Sequence, residues 1–578
     1  MLICLEKEGF FAWLTWQKGE ITLKNFNRQE SGKLRSSIIY GVSVAAAAAF
    51  WATPVNVWAA SAVPAPGESI ERPQVSDNQP VVAAAQMEST DASAGTHFQL
   101  QSVTIRHENM KLKDAELNAL TTELTGHEIG SAELNAVVDK ITTYARSHGY
   151  PAALAYIPEQ TAVEGNLTLA IEPGRFDTVT VETNGVMQER LAKGYLAGLK
   201  QGEIIRTKKL EKALRNLRDI PGIAVNAVLA PGSTQGTSNL KVTINHHDRD
   251  SYVVYAENYG SRAAGRYRYG VQADWRNLEG SGSRINVGGL ISNANQHGYN
   301  VGFETPLGHS ATMVGIGYSY SDYELGSIWS QLGVKGFAHT ISLYGKTPLQ
   351  NTAANGLNVI YAYNYRKLND EFNGTNIGDR HSHSFSLGLN GRNRTQNNAL
   401  QYNVTLHTGT LSPDSAVADT LATAGGTKGR FTKGTLDATA VQKLGGPFDV
   451  MLKLSGQKAT SNLDSSEHIY LGGARGVRAY PQGEASGDEG LLGTLELRYH
   501  TQVPGLTLST YFDAGSVKTQ KSVSGSTTLK GWGIGLTYSK PNDWFARLDY
   551  ARRIGFADNL SRDANSKQRM WFILGKIF

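Results

Sequence analysis

From Ser251 to the C-terminus the chain alternates apolar and polar residues in segments of about ten, separated by turn residues. In SRINVGGL, Ile285 and Val287 fall on one face and Arg284 and Asn286 on the other. HSFSLGLN sets Phe385, Leu387 and Leu389 against Ser384, Ser386 and Asn390. LTLSTYFDAG sets Leu506, Leu508 and Phe512 against Thr507, Ser509 and Asp513. A tilted strand needs about 9–11 residues to cross a membrane. About sixteen such segments are present. They begin near residues 251, 266, 282, 298, 312, 339, 356, 383, 399, 429, 447, 490, 506, 529, 544 and 568. An even count is expected when both chain ends of a barrel face the periplasm. The last segment, RMWFILGKIF, ends on Phe578. A soluble array of β-sandwiches also alternates, but this long unbroken run favours a 16-stranded antiparallel transmembrane β-barrel over 248–578.

Upstream, the period changes. FQLQSVTIRHE alternates as a strand, KLKDAELNALTTEL and SAELNAVVDKITTYARSHG have helical spacing with Ser131 or its neighbour as the cap, and PAALAYIPEQ and NLTLAIEP return to strand. The order β-α-α-β-β then repeats: FDTVTVETNG, QERLAKGYLAGLK, TKKLEKALRNLRDI, IAVNAVLAPG, NLKVTINH. Residues 98–174 and 175–247 are therefore two copies of one small α+β module, an arm that presents surfaces.

The first 60 residues read as a leader. Lys33 and Arg35 precede an apolar run from Ile38 to Ala52 and then small residues, which predicts a secretory signal with an extended n-region and cleavage near Ala59–Ala62. An uncleaved anchor is the alternative. No later run is long and apolar enough for a membrane helix. Residues 61–97, rich in Pro, Ala, Ser and Asp, have linker composition and are no clear amphipathic helix, so a plug role for them stays open. A mean hydropathy of −0.32 suits a barrel, whose strands spend half their residues on a polar lumen. The net charge of +5 makes no case for nucleic acid. The lone cysteine, Cys4, excludes internal disulfides and thiolate metal sites.

One stretch breaks the strand pattern. YLGGARGVRAYPQGEASGDEG (470–490) lies between the eleventh and twelfth segments, within a long loop over 461–489. The first strand leaves the modules, so the connection after an odd strand is extracellular. Such a loop lies free or folds into the lumen. In the second case Arg478 meets a lumenal carboxylate; alternation offers Asp513 and Glu496, with Arg498 on the same face as Glu496. Pairing would hold the loop inside, since an unpaired buried charge is costly.

The residues VRAYP (477–481), SGDEG (486–490), TLELRY (494–499) and YFDAG (511–515) resemble the signature of two-partner secretion outer-membrane transporters, the TpsB or ShlB/FhaC/HecB-like family. The resemblance implies a V-R-G-Y/F loop tetrad matched by Val477, Arg478 and Tyr480, with Ala479 in place of glycine. It implies an F-x-D-x-G strand motif matched by Phe512, Asp513 and Gly515. Together with Glu496 these residues form the expected loop–barrel lock. Residues 149–175 and 220–244 resemble the two POTRA modules of that family. Lys576 departs from the aromatic that family barrels often carry two residues before the terminal Phe.

The resemblance implies secretion of a large partner exoprotein, adhesin- or haemagglutinin-like, captured unfolded by the modules over 98–247. A cytolysin that needs activation is the alternative cargo. The expected site is the bacterial outer membrane and its lipid, and biogenesis implies barrel-assembly machinery and periplasmic chaperones. An insertase of the same superfamily and a passive porin or receptor are the competing classes; a porin has no use for two modules. An enzyme is not expected: LGGARG has no following phosphate-binding helix, and no G-x-x-x-x-G-K-[ST] or G-x-S-x-G motif occurs. His381 with His383, and His246 with His247, lack a third ligand, so neither a metal nor a cofactor is expected.

Overall fold

The computed structural model describes residues 2–7, 10–17, 20–26, 83–84, 98–126, 128–160, 165–247, 250–352, 354–522, 524–555 and 566–578. Within the expected leader, Leu2–Lys7, Phe10–Gln17 and Glu20–Phe26 form a three-stranded antiparallel meander. The apolar run from Ile38, the cleavage site near Ala59–Ala62 and all of 61–97 except 83–84 lie outside the described residues.

The two repeats fold alike. In the first, Ser102–Arg106 pairs in parallel with Asn166–Glu172, which pairs antiparallel with Leu154–Tyr156; the helices Asp114–Thr121 and Ser131–Ser147 cover one face. In the second, Arg175–Glu182, Thr237–His246 and Ile223–Pro231 repeat that order, under helices Glu189–Leu196 and Thr207–Arg218. Each has its own core, around Ile141 and Leu169 in one and Leu214 and Val242 in the other, with Ile204 and Ala152 packing across between them. The cap of the Ser131 helix falls on Gly130, whose backbone N–H donates to Glu133 at 3.3 Å, rather than on Ser131 itself. Residues 83–84 add a parallel strand to the edge of Ile223–Pro231.

Sixteen strands then close into one antiparallel barrel. They are β1 (Asp250–Glu257), β2 (Arg268–Leu278), β3 (Ser283–Ser292), β4 (His297–Leu307), β5 (Thr312–Glu324), β6 (Lys335–Asn351), β7 (Asn355–Phe372), β8 (Arg380–Arg394), β9 (Asn398–Pro413), β10 (Gly429–Gly445), β11 (Phe448–Ala459), β12 (Glu489–His500), β13 (Leu506–Lys518), β14 (Thr527–Ser539), β15 (Trp544–Arg553) and β16 (Gln568–Ile577). Closure is β1 on β16, from Val253 opposite Ile577 to Glu257 opposite Ile573. In hydrocarbon an open edge would leave a row of N–H and C=O groups unpaired, at several kcal/mol each, so the last strand must find the first. Outward positions such as Val254, Val271, Leu387 and Leu508 stay exposed, while Asp274, Glu304, Thr340 and Asp513 are buried inside. The C-terminal departure has a physical account: the Lys576 ammonium lies 5.4 Å from the Trp544 ring centroid and 4.8 Å from that of Phe578, so a cation among aromatics stands where another aromatic is usual.

The second module is seated on the barrel's turns. Gln188 N–H donates to the Gly280 carbonyl at 3.0 Å, and Asn351 Nδ2 donates to Asp219 at 2.7 Å. The Tyr195 ring meets His309 edge-on at 5.9 Å, and Gly194 leaves room for that histidine, since a Cβ there would sit 2.0 Å from its ring. Burial, then Asp219, pushes the Tyr195 phenol up to about 12, so it stays neutral. Asn277, in a left-handed turn, joins the two parts: its Nδ2 donates to the Val186 carbonyl at 2.7 Å and its Oδ1 accepts from Gly282 N–H at 2.9 Å. Asn277→Ala strands both backbone groups, at about 1–3 kcal/mol. The urea midpoint of the detergent-solubilised protein is expected to fall; an unchanged midpoint would show that Asn277 does not hold the junction.

Candidate functional site

Between Ala459 and Glu489 the chain enters the lumen. A short 3₁₀ turn at Ser465–Glu467 leads to a two-residue ladder, Ile469–Tyr470 on Ser486–Gly487. The ladder continues as Leu471 N–H to the Ala485 carbonyl (2.9 Å) and Gly472 N–H to Glu484 (2.8 Å), then the tip folds back with Val477 N–H on the Leu471 carbonyl (2.7 Å). This fold-back explains the glycines. A Cβ on Gly476 would stand 1.9 Å from the Leu471 oxygen, and one on Gly472 would stand 2.5 Å from that of Pro481. Leu471, Val477, Ala479 and Tyr480 are all buried against Tyr511, Val517, Leu529 and Ala551 of the wall.

The tip delivers Arg478 into a cluster of carboxylates. Its Nε and Nη2 make a bidentate pair with Asp513 at 2.9 Å each, and its backbone N–H donates to the same carboxylate at 3.1 Å. Nη1 donates to Glu496 at 3.2 Å and to Asp549 at 3.1 Å. The Tyr511 ring lies 3.1 Å from the guanidinium carbon, and Trp571 Nε1 donates to the Arg478 carbonyl at 2.7 Å. Arg478 is 5% exposed and Asp513 0%. Arg547, from β15, donates to Asp549 at 2.7 Å and to Glu496 at 3.1 Å, so two guanidiniums serve three carboxylates. Asp513 also accepts from Thr494 at 2.9 Å. Bidentate guanidinium–carboxylate pairs are the strong, oriented kind.

A second clasp holds the loop's base against the far wall. Asp464 accepts from Arg380 of β8 at 2.8 and 3.2 Å, and Arg380 also reaches Asp370 at 2.7 Å. Glu467 pairs with Arg366 of β7 at 3.0 Å and Lys433 of β10 at 2.7 Å. Asp488, fully buried, accepts from the backbone N–H of Leu463 at 2.9 Å and of Lys521 at 2.6 Å. The loop thus crosses the lumen, anchored at its base to β7–β10 and at its tip to β12–β16.

The structure brings together Arg478, Asp513 and Glu496, with Val477 and Tyr480 packed beside them. Gly515 faces the loop as well; a Cβ there would sit 2.8 Å from Leu471 Cδ2. Phe512 is the correction. It lies on the outward face, 42% exposed, between Leu495 and Trp532 of the neighbouring strands, because alternation turns it away from Asp513. Arg498 binds Asp449 at 2.5 Å rather than the loop. Ala479 fits in place of glycine because its backbone is not left-handed and its methyl rests over Gly531. Sequence reasoning missed Asp549, Arg547, Trp571 and the base clasp. The alternating ARLDYARR of β15 puts Arg547 and Asp549 on one face and was the available signal. Among the described residues no group of three or more His, Cys, Asp or Glu could hold a metal. His381 and His383 lie together on the outward face of β8.

Trp571→Phe keeps the packing and removes the donor to the buried Arg478 carbonyl, at about 1–3 kcal/mol. Protease added to intact cells is expected to cut within 471–487 faster in this variant. An unchanged rate would mean that Trp571 does not hold the tip.

The family model for the haemolysin secretion/activation protein ShlB/FhaC/HecB matches residues 236–538, and that for the ShlB-type POTRA domain matches 98–174. The heme/hemopexin transporter protein HuxB of Haemophilus influenzae is 25% identical over 84% of this chain and 88% of its own. The outer membrane transporter CdiB of Dickeya dadantii is 24% identical over 81% and 84%. In fold, the chain is similar to CdiB from Escherichia coli, with a TM-score of 0.65 at 19% identity over 89% of this chain and 95% of that one. The chain therefore belongs to the ShlB/FhaC/HecB family of haemolysin secretion/activation proteins, the outer-membrane transporters of two-partner secretion, with its POTRA modules in the periplasm.

Proposed function

We propose that this chain exports one large partner protein, threaded unfolded through the lumen, and that the Arg478 cluster holds the barrel in its transport-competent state. The observation that carries the reading is a buried loop arginine bound to carboxylates of three separate strands, β12, β13 and β15. Such a constellation is costly to build and serves no purpose in a passive pore. The chain acts without catalysis; folding of the partner outside supplies the drive by removing unfolded chain from the exit.

Capture falls to the modules by β-augmentation, in which an extended segment adds a strand to an open sheet edge. Ser102–Arg106 and Arg175–Glu182 are the outermost strands of their sheets. In the second module residues 83–84 already pair with Val228 and Leu229 on the opposite edge, and 202–205 cover the start of Arg175–Glu182 at Phe176, so the open part of that strand lies beyond it. The first strands are therefore the proposed docking edges. The cargo we favour is a large adhesin or haemagglutinin-like protein. A cytolysin is the competing cargo, as the name of the hemolysin transporter protein HpmB of Proteus mirabilis, 24% identical, suggests for that relative. Barrel-assembly machinery and periplasmic chaperones serve biogenesis.

The decisive experiment compares culture supernatants of a knockout strain complemented with wild type, Arg478→Ala or Arg478→Lys, by mass spectrometry. One very large protein should vanish in the knockout and return only with wild type. Arg478→Ala loses the pair, at about 3–5 kcal/mol, and Arg478→Lys keeps the charge without the bidentate fork. Full export by Arg478→Ala, with the barrel assembled, sinks the lock. A general fall in outer-membrane proteins would point to an insertase instead. Deleting 98–174 should strand the cargo in the periplasm; undiminished cargo binding without those residues would remove the first module as receptor.

A further inference from the structure

On the outward face of β4–β8, at the end away from the modules, one row of side chains runs in register across five strands. Tyr299 stands opposite Tyr320, Tyr320 opposite His339, His339 opposite Lys367, and Lys367 opposite His381. Directly opposed residues in antiparallel strands have Cβ atoms about 4.5–5.5 Å apart. Three nitrogen bases, His339, Lys367 and His381, are thus contiguous. The next row toward the membrane centre holds Tyr318, Ile341, Tyr365 and His383, and beyond it Leu343, Phe385 and Leu387 are openly exposed apolar side chains. The row therefore marks the boundary between the hydrocarbon and the headgroups of the outer leaflet.

The groups in the row are oriented and the nearby carboxylates are engaged. His339 Nδ1 is bonded to the Tyr318 hydroxyl at 2.8 Å, and His381 Nδ1 to Asp414 at 2.7 Å, which leaves each Nε2 for another partner. Asp322 is held by His297 at 2.9 Å and Glu371 by Lys335 at 3.1 Å. The Lys367 side chain makes no hydrogen bond or ion pair among the described residues. An ammonium between two imidazoles, directly above an apolar wall, matches an anionic headgroup that carries acyl chains.

We propose that this row binds the phosphate of an outer-leaflet glycolipid. Lys367 Nζ and the Nε2 atoms of His339 and His381 meet the phosphate oxygens, and the acyl chains lie along Ile341, Leu343 and Leu387. The assignment concerns the outer wall and stands apart from the lumenal lock and the cargo.

The test uses the purified full-length protein in detergent and native mass spectrometry. The probes are a bisphosphorylated, acylated diglucosamine, the same lipid without its phosphates, and inorganic phosphate. The phosphorylated lipid is expected to bind, and the dephosphorylated one at least about tenfold more weakly. Lys367→Ala weakens binding about fivefold, His339→Gln and His381→Gln each weaken it as well, and Lys367→Arg retains it. Equal binding by the triple variant, or by the dephosphorylated lipid, overturns the site. Displacement of the lipid by inorganic phosphate at equal concentration would overturn the lipid assignment in favour of a bare anion site.

Discussion

The buried guanidinium of Arg478 is the constraint around which the barrel's C-terminal half is arranged. A positive charge at the end of a 29-residue excursion, at 5% exposure, is tolerable only where opposite charge is already fixed. Strands β12, β13 and β15 supply it at neighbouring positions of one face. Aromatic groups then close the site: Tyr511 under the guanidinium, Trp571 on its carbonyl, and Tyr480 beneath Arg553 at 4.4 Å. Small residues follow from the same requirement. Gly515 and Gly531 are bare because Leu471 and Ala479 press against them.

The loop is held at two ends by different means, which matters for how it can move. At the base, Asp464 and Glu467 are loop carboxylates reaching cations of the wall. At the tip the polarity reverses, and a loop cation reaches carboxylates of the wall. A loop bearing both signs meets complementary charge only in one placement across the lumen. Sliding it by a strand would bring like charges together and leave buried groups unpaired.

Much of this was legible because alternation is a strict rule in a barrel. Every strand begins within four residues of where the pattern of apolar and polar positions sets it, since one face must meet lipid and the other water. The same rule put Asp513 and Glu496 inside. It also turned Phe512 outside, so a motif that is contiguous in sequence is split between two faces of one strand. The partners that stayed hidden, Asp549, Trp571 and Arg380, lie on strands remote in sequence from the loop. Periodicity assigns such residues a face but no height along the barrel axis. The neighbours a loop tip chooses depend on how far it reaches in, and nothing in local spacing encodes that depth.

The wall cluster is not satisfied by the loop alone, and this bounds what withdrawal of the loop costs. Arg547 approaches Glu496 and Asp549 from the wall side, so these two carboxylates keep a cation whether or not Arg478 is present. Asp513 does not: apart from Arg478 its side chain has the Thr494 hydroxyl at 2.9 Å. Removing the tip therefore leaves Asp513 without a cation, and leaves Glu496 and Asp549 sharing the single guanidinium of Arg547. Withdrawal of Arg478 thus costs at least about one unpaired buried charge, several kcal/mol. That cost is what keeps the tip seated on Asp513.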